Sequence, residues 1–405
     1  MLTDVLLPHN RWDLLAGLPV PRPTVSVVVV HYEQPRQLAL TLAALQRQTL
    51  PPVEIVVADD GSRGPVRAGA GPVPTTVVRQ EDRGFRAAAA RNLGASRSRG
   101  EVLVFLDADT VPEPGFVEAL TAPVAQCPDV VAVGRRLHAD LAALAPGDDP
   151  ATAPRLEAPQ WLADGYAHSG DLLHADGRSF RFVISAVLAC RRSLFDDLGG
   201  FDERFVGYGG EDWDLAYRAW NGGAVLVRRR DAVAWHDGPD WADRDVEAGQ
   251  KEAEAARLAE LIPEPGTRGA RPAGGLPDVL VELDADSSAV GASLGAQTHR
   301  DLAIGPPDRF WSADQLRRAR ARVVVHGVLP ATAIEEAMRM LEEHDPGEIT
   351  IIGADTGADL ATLTSARAEG RARRRPDVPR EEVIARAFGR MTCHVHAGVI
   401  PRGAR

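Results

Sequence analysis

The chain has 405 residues, a length that predicts two or three domains and a core large enough to fold without disulfides. Its 57 acidic and 46 basic residues give a net charge of −11, which argues against a nucleic-acid-binding protein. Cys127, Cys190 and Cys393 lack the spacing of a zinc site or a disulfide framework. No apolar run reaches the ~18 residues of a membrane span, and residues 1–23 contain no signal peptide, so we expect a cytoplasmic protein without a membrane span.

From the first clear strand onwards, the sequence alternates strands and helices. Residues 1–23 are predicted to be an extension, and Val25 to Val30 form a β-branched run that is typical of a buried parallel strand. A leucine-rich helix and a second strand, Glu54 to Ala58, complete a βαβ unit of about 35 residues. Such units place the turns after their strands at one edge of the sheet. The pattern predicts an α/β fold with a doubly wound sheet.

An acidic turn ends a later apolar strand. Val102 to Leu106 lead directly into Asp107 and Asp109, and Pro112 and Pro114 interrupt any regular continuation. Two carboxylates one residue apart at a strand's carboxyl end can ligate a hard divalent cation. The same pair also suits a solvated turn, so the surrounding motifs must decide between the two interpretations.

The pattern is less regular after this strand. Residues 138–178 are rich in Ala, Pro, Asp and Gly and are predicted to be loops. A strand-like run, Phe180 to Cys190, leads to Gly199-Gly200-Phe201-Asp202 and then to an acidic segment, Gly207 to Asp214. We expect a helix from Asp212, at whose start acidic side chains would cap the helix and favour its dipole.

A Pro/Gly-rich linker divides the chain into two parts. We expect one α/β domain over residues 24–245, a charged helix and linker over 246–275, and a second domain over 276–405. The second domain is predicted to be a degenerate copy of the first, although short Ala/Leu-rich matches can also arise by chance.

The internal repeat rests on two ungapped matches. Leu45 to Thr49 align with Leu294 to Thr298, and Pro112 to Leu120 align with Pro330 to Met338. In this register Val325 and Gly327 stand opposite Asp107 and Asp109, so the second copy lacks the acids.

Taken together, residues 24–245 resemble the family 2 glycosyltransferases of the GT-A fold. The motifs that carry this resemblance are His31-Tyr32, Gln48-Thr49, Val57 to Ser62, Gly84 with Ala90-Arg91-Asn92, and Phe105 to Asp109. The segments Gly199 to Asp202 and Gly209 to Leu215 are similar to the C-terminal block of galactosyl- and N-acetylgalactosaminyltransferases. The resemblance implies a GT-A (Rossmann-like doubly wound) catalytic domain, followed by a smaller degenerate GT-A-like α/β domain.

The resemblance further implies a metal-dependent, inverting hexosyltransferase. It would move a single sugar from a nucleotide diphosphate sugar, with a UDP-sugar favoured, to a hydroxyl or thiol of a peptide, a natural product or an envelope precursor. A bound Mn²⁺ or Mg²⁺ would neutralise the leaving diphosphate. The chain has no Gln-x-x-Arg-Trp motif and no predicted membrane span, which favours single-sugar transfer over processive synthesis.

On the donor side, the resemblance implies that Tyr32 and Asp60 contact the uracil and that Arg86 contacts the nucleotide. Asp107 would face the ribose and the donor sugar, and Asp109 would ligate the metal. His236 is similar to a third metal ligand of family members, with an ordinary, partly buried histidine as the alternative.

On the acceptor side, Asp212 would be the general base and Glu211 a sugar or acceptor contact. Trp213 would form a stacking wall, and Tyr208, in a glycine-rich loop, would close over the donor. The family block often has an asparagine where this chain has Ser185 to Leu188, which leaves the acceptor contacts there open.

Two other functions remain open. Asp107 to Val111 also fits the D-x-D-x-T/V motif of haloacid-dehalogenase-like phosphatases, whose catalytic lysine is the discriminating feature; the only lysine here is Lys251. A non-catalytic scaffold that binds sugar nucleotides is the second alternative, against which Glu211 and Asp212 argue. We expect the C-terminal domain to form a homodimer or to dock the acceptor.

Overall fold

The computed structural model describes residues 5–207, 209–238, 248–284, 288–305 and 311–396. The contacts within the chain divide it into two compact units. The first unit comprises Met1–Ala175, Ser179–Ala219 and Ala224–Leu258, and the second unit comprises Asp176–Arg178, Trp220–Gly223 and Ala259–Arg405.

A mixed β-sheet forms the core of the first unit. Its strands are β1 (Val25–His31), β2 (Glu54–Asp59), β3 (Thr75–Arg79), β4 (Val102–Asp107), β5 (Thr110–Pro112), β6 (Val130–Ala139), β7 (Arg155–Leu156), β8 (Val187–Arg191) and β9 (Val225–Asp237). They follow the order β3-β2-β1-β4-β8-β6-β9-β5, with β7 beside β6. The strands from β3 to β4 are parallel, whereas β8 is antiparallel to both β4 and β6.

Helices flank this sheet because their leucine- and alanine-rich faces are buried. They are α1 (Pro35–Leu45), α2 (Ala87–Arg97), α3 (Phe116–Gln126), α4 (Gln160–His168), α5 (Arg192–Leu198), α6 (Glu211–Asn221) and α7 (Ala248–Leu261). The four valines Val27 to Val30 in β1 alternate between the two faces of the sheet, and three of them have no exposed surface. Among the helices that the structure describes, none is long and apolar enough to cross a bilayer.

The irregular middle of the first unit differs from the prediction. Residues 138–178 were expected to be loops, but they contain the end of β6, the short β7 and helix α4. The buried residues of α4 are Leu162, Gly165 and Tyr166, and this helical spacing is hard to recognise because one member is a glycine. The predicted strand over Phe180–Cys190 is instead a short 3-10 helix, Ser179–Phe182, followed by β8.

The second unit is a smaller α/β domain with its own core. Its strands are β10 (Val279–Leu283), β11 (Leu302–Gly305), β12 (Ala321–Val325), β13 (Glu348–Gly353), β14 (Asp359–Ser365) and β15 (Arg390–Val395). Its helices are α8 (Pro265–Arg268), α9 (Ser288–Gly295), α10 (Ala313–Arg318), α11 (Ala333–His344), α12 (Ala366–Arg373) and α13 (Arg380–Ala387).

The sheet of the second unit repeats that of the first. Its strand order, β11-β10-β12-β14-β13-β15, corresponds to β2-β1-β4-β8-β6-β9. Each pair of neighbours also has the same relative direction, including the antiparallel pairs on both sides of β14 and the parallel pair β13 and β15. The second unit is therefore a reduced version of the same fold.

A buried glutamine makes the same contacts in both units. In the first, the Gln48 side chain donates to the Glu113 carbonyl at 2.9 Å and accepts the Val117 amide at 2.9 Å. In the second, Gln297 donates to the Pro330 carbonyl at 2.8 Å and accepts the Ile334 amide at 3.1 Å. The bonds from the Val117 and Ile334 amides satisfy N–H groups in the first turn of α3 and of α11, which have no partner within the helix.

This correspondence corrects the predicted repeat register by one residue. Ile334 takes the place of Val117, whereas the sequence alignment paired Ile334 with Phe116. At the strand end the predicted register is also wrong by one residue, but in the opposite direction. The strand pairings place Val323 opposite Val104, so that His326, not Val325, is equivalent to Asp107. The equivalent of Asp109 becomes Val328, and the carboxylates are absent in either register.

We expect Gln48→Ala to increase hydrogen exchange at the Val117 amide by about tenfold or more, since removing one partner of a buried hydrogen bond costs about 1–3 kcal/mol. Gln297→Ala should do the same at the Ile334 amide. Residue-resolved hydrogen exchange checks both variants, and each is the matched control for the other. Unchanged protection of both amides would show that these glutamines do not hold the helix starts.

Candidate active site

A cavity of about 590 Å³ lies in the first unit where β1, β2 and β4 end. Eight of the ten residues predicted to form the site line it: Tyr32, Asp60, Asp107, Asp109, Glu211, Asp212, Trp213 and His236. Tyr208 lies outside the described residues, and Arg86 does not line the cavity in the part of the chain that is described.

A buried guanidinium joins the two acidic motifs. Arg91, in α2, is 3% exposed; its Nη1 donates to Glu211 Oε1 at 2.7 Å and its Nη2 to Asp107 Oδ1 at 2.9 Å. Burial by itself lowers the pKa of Arg91, but the two carboxylates outweigh it and raise the pKa above its usual value. Arg91 therefore stays charged and holds the start of α6 beside the end of β4.

The neighbouring Asn92 holds the segment from Gly199 to Asp202 in place. Its side-chain amide donates to the Phe201 carbonyl at 2.9 Å, and its carbonyl oxygen accepts the Phe201 amide at 2.9 Å. Arg91 and Asn92, on one turn of α2, thus position the start of α6 and the segment from Gly199 to Asp202. Arg91 and Asn92 belong to a motif that is visible in the sequence, but the motif alone predicted no role for either residue.

Asp109 and His236 meet where β5 pairs with β9. Asp109 Oδ2 lies 3.6 Å from His236 Nε2, and the side-chain amide of Gln34 donates to the same carboxylate oxygen at 3.0 Å. His236 Nδ1 donates to the Gly238 carbonyl at 3.2 Å, so the proton resides on Nδ1 in the neutral ring and Nε2 carries the lone pair.

These two side chains fit a divalent cation that is shared with a ligand. A carboxylate oxygen and an oriented imidazole nitrogen are suitable donors for Mn²⁺, and ions of this kind complete their coordination with substrate phosphates and water. Within the described residues, no group of three or more His, Cys, Asp or Glu side chains is arranged as a metal site. The pair would therefore depend on a ligand for its remaining contacts.

Asp60 is held rigidly on another side of the cavity. Its Oδ2 accepts the Arg86 backbone amide at 2.7 Å and its Oδ1 accepts the Gln80 side-chain amide at 2.5 Å. The guanidinium of Arg86 donates to the Glu81 carbonyl at 2.5 Å. Arg86 thus supports Asp60 through its backbone, and a nucleotide contact of its side chain remains a prediction.

The first turn of α6 carries a carboxylate with a raised pKa. Burial, followed by the charge of Glu211, raises the pKa of Asp212 to about 7, against the opposing effects of Arg91 and of the Trp213 amide, which donates to Asp212 at 2.8 Å. An acid with this pKa is close to the optimum for proton transfer near neutral pH. Asp214, by contrast, is fully buried in an ion pair with Arg218.

Sequence reasoning missed several residues that line the cavity. Gln34 and Phe85 follow strands and could have been found from the rule that ligands bind at strand ends. Trp161 lies in α4, inside the stretch that was predicted to be loops, and Glu254 lies in α7, which was predicted to be a charged helix outside the catalytic domain. No local motif marks these last two.

Two family models match the first unit. The model of glycosyl transferase family 2 matches residues 26–197, and the model described as the N-terminal domain of galactosyltransferase matches residues 173–234. Together they cover both acidic motifs that Arg91 joins.

Several curated proteins are similar to this chain. Validoxylamine A glucosyltransferase from Streptomyces hygroscopicus subsp. limoneus is 34% identical over 230 residues, 52% of this chain and 51% of that protein. Pre-mycofactocin glycosyltransferase from Mycobacterium tuberculosis is 32% identical over 219 residues, with coverage of 52% and 43%. Hyaluronan synthase from Pasteurella multocida is 29% identical over 252 residues, with coverage of 56% and 26%. The chain thus spans about a quarter to a half of the length of these relatives.

Among solved structures, that of GalNAc-T7 with UDP, GalNAc and Mn²⁺ aligns with a TM-score of 0.42 and 20% identity, over 60% of this chain and 48% of that chain.

We expect Arg91→Met to destabilise the protein by about 3–5 kcal/mol, because it leaves two carboxylates at a buried site without their cation. Urea denaturation measures the change. Arg339→Met, which removes an exposed i,i+4 pair with Glu343, is the control and should cost about 1 kcal/mol or less.

The double variant Arg91→Met/Glu211→Gln should lose less stability than the sum of the single variants, since one uncompensated charge is removed with the cation. Additive losses would contradict a direct interaction between Arg91 and Glu211.

Proposed function

We propose that this chain, whose residues 26–197 form a domain of glycosyl transferase family 2, transfers a single sugar from a nucleotide diphosphate sugar to an acceptor hydroxyl with inversion. We infer a UDP-sugar as the donor and a bound Mn²⁺ or Mg²⁺ as the cofactor. The observation that carries the proposal is the Arg91 ion-pair bridge, which brings the carboxylates of Asp107 and Glu211 to one cavity. The names of the relatives, which refer to sugar transfer, support the same reaction class.

On the donor side, Tyr32 and Asp60 would bind the base. Asp60 is preorganised for this role because both of its oxygens already accept hydrogen bonds that fix the carboxylate plane. Asp107 would contact the ribose and sugar hydroxyls. Its second contact, to Arg91, fixes its orientation.

Asp109 and His236 would hold the metal ion against the diphosphate. When bound, the ion would neutralise the charge that develops on the leaving nucleotide. The Gly238 carbonyl keeps His236 Nε2 available for ligation, and Gln34 keeps the Asp109 carboxylate directed to the same place.

Asp212 would accept the proton of the acceptor hydroxyl while that oxygen attacks the anomeric carbon. Attack from the side opposite the leaving nucleotide inverts the anomeric centre. Glu211, whose charge Arg91 compensates, would bind a sugar or acceptor hydroxyl, and Trp213 would pack against the substrate. The loop that contains Tyr208 would cover the donor and exclude water.

The phosphatase alternative lacks support because it requires a catalytic lysine. Lys251, the only lysine in the sequence, is exposed and does not line the cavity. For the second unit we propose a non-catalytic role in dimerisation or acceptor docking, since His326 and Val328 occupy the positions of the two acids. Light scattering separates these two roles, since a mass twice that of the chain indicates dimerisation and the mass of a single chain excludes it.

We expect the purified protein to hydrolyse one member of a panel of nucleotide sugars slowly without an acceptor, to release UDP, and to lose this activity with a chelator. Asp109→Asn should lower the affinity for Mn²⁺, since it removes a charged ligand. A coupled assay for the released nucleotide, with Mn²⁺ titrated, measures both effects. Equal turnover with and without chelator would contradict the metal site, and release of phosphate from simple esters would indicate a phosphatase.

The transfer rate should rise about tenfold per pH unit below pH 7 and level off above it, because only the deprotonated Asp212 accepts a proton and its pKa is raised to about 7. Asp212→Asn should reduce transfer by about 100-fold or more and remove this dependence. The pH profile of kcat/KM, which reports the pKa of the free protein, checks both, with nucleotide binding measured separately. Full transfer by Asp212→Asn would exclude Asp212 as the base.

A further inference from the structure

Exposed aromatic side chains concentrate at one place in the described part of the chain. The large aromatic residues there that are strongly exposed are Tyr32 (38%), Phe85 (42%) and Trp161 (45%), and all three line the same cavity. Exposed aromatic surface of this kind marks a binding site, because a soluble protein otherwise buries it. Tyr32 and Phe85 lie near Asp60, which leaves Trp161 without a role in binding the base.

Trp161 is presented to the cavity by α4. The buried side chains of this helix are Leu162 and Tyr166, so α4 packs against the first unit without burying the indole. The Trp161 ring lies 6.4 Å from that of Trp213 at an angle of 73°. Because Trp161, Trp213 and Asp212 all line the cavity, the two indoles form an angled aromatic wall in the cavity of the proposed base.

Glu254 reaches the cavity from α7, which begins after the last residue that either family model matches. Its carboxylate packs against Gly209, whose φ is +97°. A Cβ at position 209 would lie 2.8 Å from Glu254 Oε1, so the carboxylate lies directly against this glycine, whose positive φ itself favours glycine. Burial, followed by Glu211, raises the pKa of Glu254 to about 7, whereas Lys251 lowers it.

Resting on the proposed function, we propose that Trp161 and Glu254 form the acceptor subsite and that this subsite selects a carbohydrate-like ring. A pyranose or cyclitol has a flat face of C–H groups that packs on an indole and hydroxyls at its edge that donate to a carboxylate. A serine or threonine of a peptide offers the hydroxyl without that face. The wall next to Asp212 therefore favours a cyclic polyol over a peptide side chain.

The test uses the full-length protein and the nucleotide sugar that it hydrolyses. The probes are a panel of p-nitrophenyl hexosides and, for comparison, a Ser/Thr-containing peptide. We expect at least one hexoside to increase nucleotide release above hydrolysis and to be glycosylated, and the peptide to have no effect. Stimulation by the peptide alone, or by no hexoside, would overturn the proposal.

The variants separate acceptor selection from general damage. Trp161→Ala and Glu254→Gln should each raise KM for the hexoside about tenfold, more than they change kcat or KM for the nucleotide sugar, and Trp161→Phe should recover part of the loss. Glu252→Gln, exposed on the same helix and outside the cavity lining, is the matched control and should behave as wild type. Unchanged hexoside KM in both cavity variants would contradict the subsite.

Failure of the proposed function is recognised separately. If the wild-type protein turns over no nucleotide sugar, the transferase proposal fails, and the subsite is then tested by titrating the hexosides against tryptophan fluorescence. Quenching that is lost in Trp161→Phe supports a ring-binding site, and equal or absent quenching in both proteins overturns it.

Discussion

The charge of Arg91 determines how the first unit is put together around its cavity. A guanidinium that is 3% exposed can remain in the protein only if carboxylates compensate it, and here they come from two segments about a hundred residues apart, Asp107 and Glu211. Both acids are therefore tied to α2. Asn92 adds a hydrogen-bonded connection to Phe201, so a single helical turn fixes the relative position of the proposed donor-side and acceptor-side motifs.

The second unit keeps the features that stabilise the fold but lacks the acids on which the proposed chemistry depends. It retains the strand order, the strand directions and the glutamine that satisfies the start of a helix, since these stabilise the sheet and its covering helices. It does not retain the acidic strand end, where His326 stands in the place of Asp107 and bonds to Asp284 and Thr362. Carboxylates next to one another are costly without a cation or ligand, which agrees with the non-catalytic role that we propose for this unit.

The cavity also contains side chains from outside the recognisable motifs. Trp161 comes from a short helix in an irregular stretch and Glu254 from a helix that follows the family-matched residues. Peripheral elements of this kind can vary without disturbing the sheet, which makes them suitable for the acceptor selection that we propose, while the strand ends would keep the proposed donor site. Glu254 and Asp212 also share an environment in which burial raises the pKa of each to about 7.

The sequence alone determined the α/β class, the division into two related halves and the acids at the strand ends, because β-branched runs, helical spacing and turn residues are local signals. It did not reveal the role of Arg91 or the presence of Trp161 and Glu254 in the cavity. Those contacts join residues that are far apart in the chain, and their partners are selected by strand order, strand register and helix packing. The one-residue errors in the repeat have the same origin: the strand pairings and the hydrogen bonds from Gln48 and Gln297 establish the register, and only the folded chain contains them.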